Sequence, residues 1–447
     1  MDHRAEEAHV LDAGAFRVEG YPYLRVNRFL ASFRTEVGDA GAFGAWVDQM
    51  QALDQEARRY EIANLPPAMG SVPGSANDRA ELNAAVASCG NLLKAADFQN
   101  GKSQLALREE ATAPDEYLSL WRALGLYPLT RLYVYHRVLV WQAEARKTFS
   151  TEPPAGWQTI RYVPENVGET PDARKLVAEA GHDALGIPNY TPAAREALFR
   201  MYAPAWEVQV EADYDRIGKP VWTSTDMLDI DTRHPLTYTL LSFTRFGKEV
   251  LTQLNYVIWF PSRPKVNALD IYGGDLDGVN YRVTLDTNGE PLLYETIHNC
   301  GCYYGAYPTR RLKARESIDY AEPPLIFKAP ELTPSKELVT VAMENRTHYV
   351  QHLYPLARQS DSETVVYSLA DYGELRSLPQ PKGGRRSMFG SDSLASGSER
   401  LERFILWPTG VVSPGAMRQW GRHAVAFVGE RQFDDPFSIE KMFIKID

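Results

Sequence analysis

The sequence predicts an α+β fold in which an N-terminal helical region packs on a C-terminal, mainly antiparallel β-sheet. Three observations carry this reading. Apolar residues recur at three- and four-residue steps from Tyr21 to about Ser150, the period changes to two from Ala205, and three hairpin turns then follow one another. The 447 residues divide into a polar leading segment (1–20), the helical region (21–150), a Pro-rich connector with short helices (151–204) and the antiparallel β region (205–447).

In the helical region, Leu24, Val26, Phe29, Leu30 and Phe33 are spaced as one buried face. Trp46, Met50, Leu53 and Ala57 continue such a stripe from Phe43 to Leu65, where Pro66 and Pro67 stop it and Gly70 to Gly74 form a loop. Ser75 or Asn77 would cap a helix over Asp78 to Phe98, with Cys89 a small buried hydrophobe within it. Asp115 to Leu126 and Pro128 to Phe149 are the next helices, Pro128 suiting a first turn. Pro153, Pro154, Pro164, Pro171 and Pro188 break up the connector, where Thr191-Pro192 starts a helix.

Trp206, Val208, Val210, Ala212 and Tyr214 alternate with acidic and polar residues, predicting a strand buried on one face. Gly247-Lys248, Asn288-Gly289 and Glu344-Asn345-Arg346 are the hairpin turns. The Gly/Ser-rich stretch 381–398 predicts a long mobile loop. Beyond it, Phe404 to Trp407, Ala424 to Val428 and Met442 to Ile446 read as strands that rejoin the sheet.

A net charge of −10 argues against nucleic-acid binding, which needs a basic stripe, and against an anionic membrane surface. No apolar run approaches the length of a membrane span. The first residues form no signal peptide, and the aromatic-rich strands favour an extracytoplasmic (periplasmic) chain with its leader removed over a cytoplasmic one.

Chemistry concentrates in Glu295–Gly305. His298-x-Cys300-x-Cys302 offers an imidazole and two thiols, a set suited to a transition metal ion such as Zn, Cu or Fe. Alternate residues of a straight strand lie roughly 6.6 Å apart at Cα, whereas two sulfurs on one metal are closer than about 4 Å. The chain must therefore bend, and Gly301 permits it. His348, His352 and His423 are the candidate completing ligands, although His348 and His352 are too far apart on a strand to share one ion unaided. Tyr303, Tyr304 and Tyr307 would line the pocket and donate protons. Two other states compete with a metal: a disulfide from Cys89 to Cys300 or Cys302, or three reduced and buried thiols.

Weaker constellations read as structural. Asp226, Asp229 and Asp231 precede Arg233 and His234 as a polar strand end, with His234 a general base in the alternative. Asp270, Asp275 and Asp277 resemble part of a calcium loop but lack its closing Glu. Arg385-Arg386 suits an anion or open solvent. No nucleophile elbow, phosphate loop, dinucleotide fingerprint or His-Glu-x-x-His helix occurs. The expectation is a metal-dependent enzyme, oxidative or hydrolytic, acting on a small-molecule or peptide ligand. The alternatives are a cell-envelope binding or assembly protein with a structural disulfide and, third, a redox protein using Cys300 and Cys302.

Overall fold

Helix α1 (Ala40–Asn64) begins where Asp39 accepts a hydrogen bond from the Ala42 amide at 2.9 Å, and it ends before Pro66. The computed structural model describes residues 1–67, 69, 78–151, 158–165, 172–334, 336–358 and 364–446. The predicted Gly70–Gly74 loop, the Ser75 or Asn77 cap, and Pro153, Pro154 and Pro171 lie outside those residues. Helices α2 (Asp78–Asp97), α3 (Ser119–Leu124), α4 (Tyr127–Phe149) and α5 (Pro192–Tyr202) follow, with Pro in the first turn of α4 and α5. Thr191 caps α5 by accepting from the Ala194 amide.

Two helical expectations are corrected. Tyr21–Val26 is a strand paired with Phe16–Val18, and only Arg28–Ala31 beyond it is helical. Both faces of that strand are covered, because Arg25 turns into buried Asp54 and Glu61, so the alternation that would mark a strand is lost. Cys89 is exposed, since Gly90 is the one fully buried residue of α2.

The large sheet has eleven strands: β1 (Thr159–Pro164), β2 (Ala205–Gln209), β3 (Leu236–Phe246), β4 (Glu249–Arg263), β5 (Gly274–Leu285), β6 (Pro291–His298), β7 (Gly305–Pro308), β8 (Leu325–Ile326), β9 (Glu337–Met343), β10 (Val350–Ala357) and β11 (Val365–Asp371). Their spatial order is β8-β7-β6-β5-β4-β3-β11-β1-β2-β9-β10. All three hairpins form, as β3–β4, β5–β6 and β9–β10. The sheet is nevertheless mixed, not mainly antiparallel, because β7–β8, β2–β9, β11–β1 and β11–β3 pair in parallel. Hairpin turns impose antiparallel pairing only on chain neighbours. Here β1, from the expected connector, and β11 enter between hairpin units through long connections.

Central strand β4 is buried on both faces. Leu254, Tyr256, Ile258 and Phe260 join one core with Phe199 and Tyr202 of α5. Val257 and Trp259 join another with Met388, Phe389 and Met417. That is why Leu254–Phe260 reads as a nearly continuous apolar run. The Gly/Ser-rich stretch supplies Met388, Phe389, Leu394 and Ala395 to the interior, so it is an irregular but packed segment.

The C-terminal strands are corrected too. Arg403–Leu406 is a helical turn, Ala424 makes only an isolated bridge, and Phe443–Lys445 pairs with Leu312–Ala314 outside the large sheet. Short apolar runs do not distinguish strand from buried coil without their partners. Among the described residues no helix is long and apolar enough to cross a membrane.

Candidate functional site

Strand β6 ends in a tight turn in which the His298 amide donates to the Cys302 carbonyl at 3.0 Å and the Gly301 amide to the His298 carbonyl at 2.8 Å. Gly301 has φ +98°, the bend expected from sequence, and a Cβ there would collide with the Ala424 carbonyl. Tyr303 follows at φ +62°, a strained value for a bulky residue. The turn places Cys300 in the core beside Trp259 and Met417, with Cys302 packed at its margin.

His298 heads a buried line of alternating rings and carboxylates. Its Nδ1 lies 3.5 Å from Asp277 Oδ1, Asp277 Oδ2 lies 2.9 Å from His348 Nδ1, and His348 Nε2 lies 3.2 Å from Asp215 Oδ1. Asp215 also accepts from the amides of Glu211 and Arg346. The His348 ring stacks on Phe260 at 3.9 Å. Burial opposes charge on His348, but the flanking Asp215 and Asp277 prevail and raise its pKa. For Asp277 burial again works against the charge, yet the bonds from His298 and His348 hold it well below the usual carboxylate range. Burial lowers the pKa of His298, and its Nε2 has no hydrogen-bond partner among the described residues.

Above this line sits an aromatic lid. Tyr303 and Tyr349 lie with ring centroids 4.2 Å apart, and the His298 ring meets both edge-on. Arg263, at the end of β4, donates to the Tyr303 hydroxyl at 3.4 Å and to the Tyr349 hydroxyl at 3.2 Å. Beyond the lid opens a cavity of about 450 Å³, whose walls include Arg137 and Trp141 of α4, Arg263, Cys302, Tyr349 and Glu402. That size suits a small organic ligand.

Glu402 is the unexpected member. Its residue is 6% exposed, and burial pushes its carboxyl up to about 7. Arg400, Arg263 and Arg418 oppose that rise through space. The carboxylate lies against the backbone of Gly415, where any Cβ would overlap its Oε1.

The sequence-derived candidates are distributed as follows. His298 and His348 meet through Asp277. His352 is elsewhere, its ring 5.6 Å from Phe149. His423 Nε2 lies 3.2 Å from the Asn299 carbonyl, and burial drives its pKa down to about 3. Tyr303 is in the lid, while Tyr304 borders the cavity but donates its hydroxyl to Glu295, which also holds Arg282. Tyr307 is paired with Thr296 and packs on Phe327. Cys89, Cys300 and Cys302 are all unpaired thiols. The neighbouring Cys300 thiol, then burial, push the Cys302 thiol well above its ordinary value, so it holds its proton at neutral pH. Among the described residues no group of three or more His, Cys, Asp and Glu side chains is arranged to hold a metal ion.

His234 stays on the surface, its Nδ1 2.9 Å from Asp231, which also binds Arg233, in keeping with a structural strand end. Sequence reasoning passed over Arg263, Tyr349 and Glu402, took Asp277 for a turn residue, and set Asp215 on the acidic face of the strand begun at Trp206, whereas that strand ends at Gln209 and Asp215 is buried in the turn after it. One signal was available: Arg263 closes the strand just after its apolar run Tyr256–Phe260. No known protein family matches this chain, and neither does any curated protein or solved structure.

Proposed function

We propose that the chain is an enzyme that moves a proton on a small organic acid or ketone held in the 450 Å³ cavity, with Glu402 as the acid–base group. The observation that carries this reading is the placement of the Glu402 carboxylate, buried yet lining the cavity, on a wall shared with Arg263 and Tyr349. A carboxyl that titrates near neutrality both takes and returns a proton efficiently. Arg263 spends N–H groups on the two phenol oxygens, so at least one phenol proton stays available for a ligand oxygen. The same cation favours charge developing there. The reaction class is proton abstraction beside a carbonyl or carboxylate, in which Glu402 removes a carbon-bound proton and the Arg263–tyrosine group stabilises the enolate. Return of that proton to the same or a neighbouring carbon completes the cycle. Tyr133, Trp141 and Tyr272 in the walls favour an apolar or aromatic body on the ligand.

The test is solvent-deuterium incorporation, followed by NMR, across a panel of aromatic and aliphatic keto acids and ketones. Wild-type protein is expected to label one class; Glu402→Gln is expected to bind that class and not label it. Equal labelling by both proteins would remove the assignment.

A second reading keeps a Zn, Cu or Fe ion near residues 298–302. Its support is the unpartnered Nε2 of buried His298 and the two free thiols of the same turn. Elemental analysis of untreated protein tests it: less than stoichiometric metal, with folding indifferent to chelator, excludes it.

A further inference from the structure

A second cavity, of about 1020 Å³, lies between the turn at Gly289, the end of α5, the segment after β7 and the loop before β9. It shares no wall residue with the first. Hydrogen bonds pin its walls in place. Tyr202 of α5 donates its hydroxyl to the Gly289 carbonyl at 2.6 Å, and a Cβ at Gly289 would press on the Ala173 carbonyl. Arg358 donates to the Pro334 carbonyl at 3.1 Å and to the Met201 carbonyl, tying the loop to the helix end. The Thr309 amide donates to the Leu292 carbonyl, and the Ala329 amide to the Pro308 carbonyl. Such a cavity is formed before any ligand arrives, and its volume is at the upper end for small-molecule sites.

Two hydrogen-bond donors in this wall have nothing to donate to. Tyr294 of β6 is 3% exposed and lines the cavity, and its hydroxyl has no partner among the described residues. Burial alone raises its pKa. In the same core Tyr202, Tyr256 and Tyr367 each donate to a backbone carbonyl. Tyr281, stacked on Tyr294, is also unpartnered, but it is sealed from the cavity. A buried donor left unpaired is costly, so the open Tyr294 phenol marks a place for an acceptor.

Arg310 is the second donor. It is exposed at the rim, and its guanidinium has no hydrogen bond or ion pair among the described residues. The other cations of the wall are taken, Arg174 and Arg311 by Glu290 and Lys328 by Glu331. The remaining acids, Asp172 and Glu337, accept from the amides of Arg174 and Thr333.

We infer that this cavity is a second ligand site, for an anion with an apolar, ring-bearing body and a neutral acceptor oxygen. Arg310 takes the charged end, because its N–H fork matches a carboxylate or phosphate. Tyr294 donates to the neutral oxygen farther in, and Met201, Tyr202 and Leu332 cover the body. None of these groups touches Glu402, so the acid–base reading can fail without this one and the converse also holds.

The experiment is a fluorescence titration of dansylglycine with the full chain, since that probe joins a carboxylate, sulfonyl oxygens and a naphthalene ring. Wild-type protein is expected to bind it saturably, and dansylamide, which lacks the carboxylate, to bind at least about tenfold more weakly. Arg310→Glu is expected to weaken dansylglycine binding about tenfold or more, and Tyr294→Phe about fivefold. Both are expected to keep the circular dichroism spectrum, because one side chain is exposed and the other loses a single oxygen. Arg137→Glu, in the wall of the first cavity, is expected to bind as wild type. Four results overturn the inference: no saturable binding by wild type, equal binding of dansylamide, wild-type binding by either Arg310→Glu or Tyr294→Phe, or loss of binding with Arg137→Glu.

Discussion

Asp277 Oδ2 lies 2.9 Å from His348 Nδ1, both residues fully enclosed and 71 positions apart in the chain. With Asp215 on its other side, His348 is clamped between two carboxylates that raise its pKa and join the sheet to the turn after β2.

Removing that ring leaves two buried carboxylates unpaired. His348→Ala is expected to destabilise the fold by about 3–5 kcal/mol in urea unfolding, the usual loss when one partner of a buried ionic group is deleted. Exposed His234, also beside a carboxylate, is the control; His234→Ala is expected to cost under about 1 kcal/mol.

The same clamp sets a pH window. His348 has a raised folded pKa, so its contribution is complete below the unfolded value of about 6.5 and is lost as pH rises through the folded value. Asp277 has a depressed one, so its contribution is complete above about 3.9 and is lost as pH falls further. Stability from this contact is expected to be greatest between those limits, and His348→Gln to flatten the alkaline fall. Urea midpoints at several pH values read both.

Glu402 acts in the opposite sense. Its carboxyl is raised to about 7 by burial, so the fold prefers it protonated and loses stability as pH rises from its unfolded value toward that figure. Glu402→Gln is expected to be more stable than wild type at pH 8 by up to about 3 kcal/mol, and indistinguishable from it at pH 4.

Gly301 and Gly20 separate strain from collision. Both have positive φ, but a Cβ meets nothing within 4 Å at Gly20 and the Ala424 carbonyl at Gly301. Gly20→Ala is expected to cost about 1 kcal/mol and Gly301→Ala at least twice that, measured by thermal unfolding.

Thiol chemistry distinguishes the cysteines. Cys89 is exposed, Cys300 is buried, and the Cys302 thiol is held protonated. Native protein is expected to react rapidly with a maleimide at one site, mapped to Cys89 by mass spectrometry, and at all three only after unfolding. A protected pair in non-reduced protein would contradict the free-thiol state.

What the sequence by itself determined was whatever depends on neighbours in the chain. Thr191 as a cap, the turns at Gly247, Asn288-Gly289 and Asn345, and the bend at Gly301 all appear where read, because each is a preference of a few consecutive residues. Local signals misled where tertiary cover hid the period, as at Tyr21–Val26, whose charged Arg25 is buried against two acids. Only the tertiary structure decided the parallel insertion of β1 and β11, the cover on both faces of β4, and the meeting of Arg263 with Tyr349 across 86 positions. The physical reason is common to all three. Periodicity records that a side chain is covered, whereas the identity of the covering partner is set by which distant segments the sheet brings side by side.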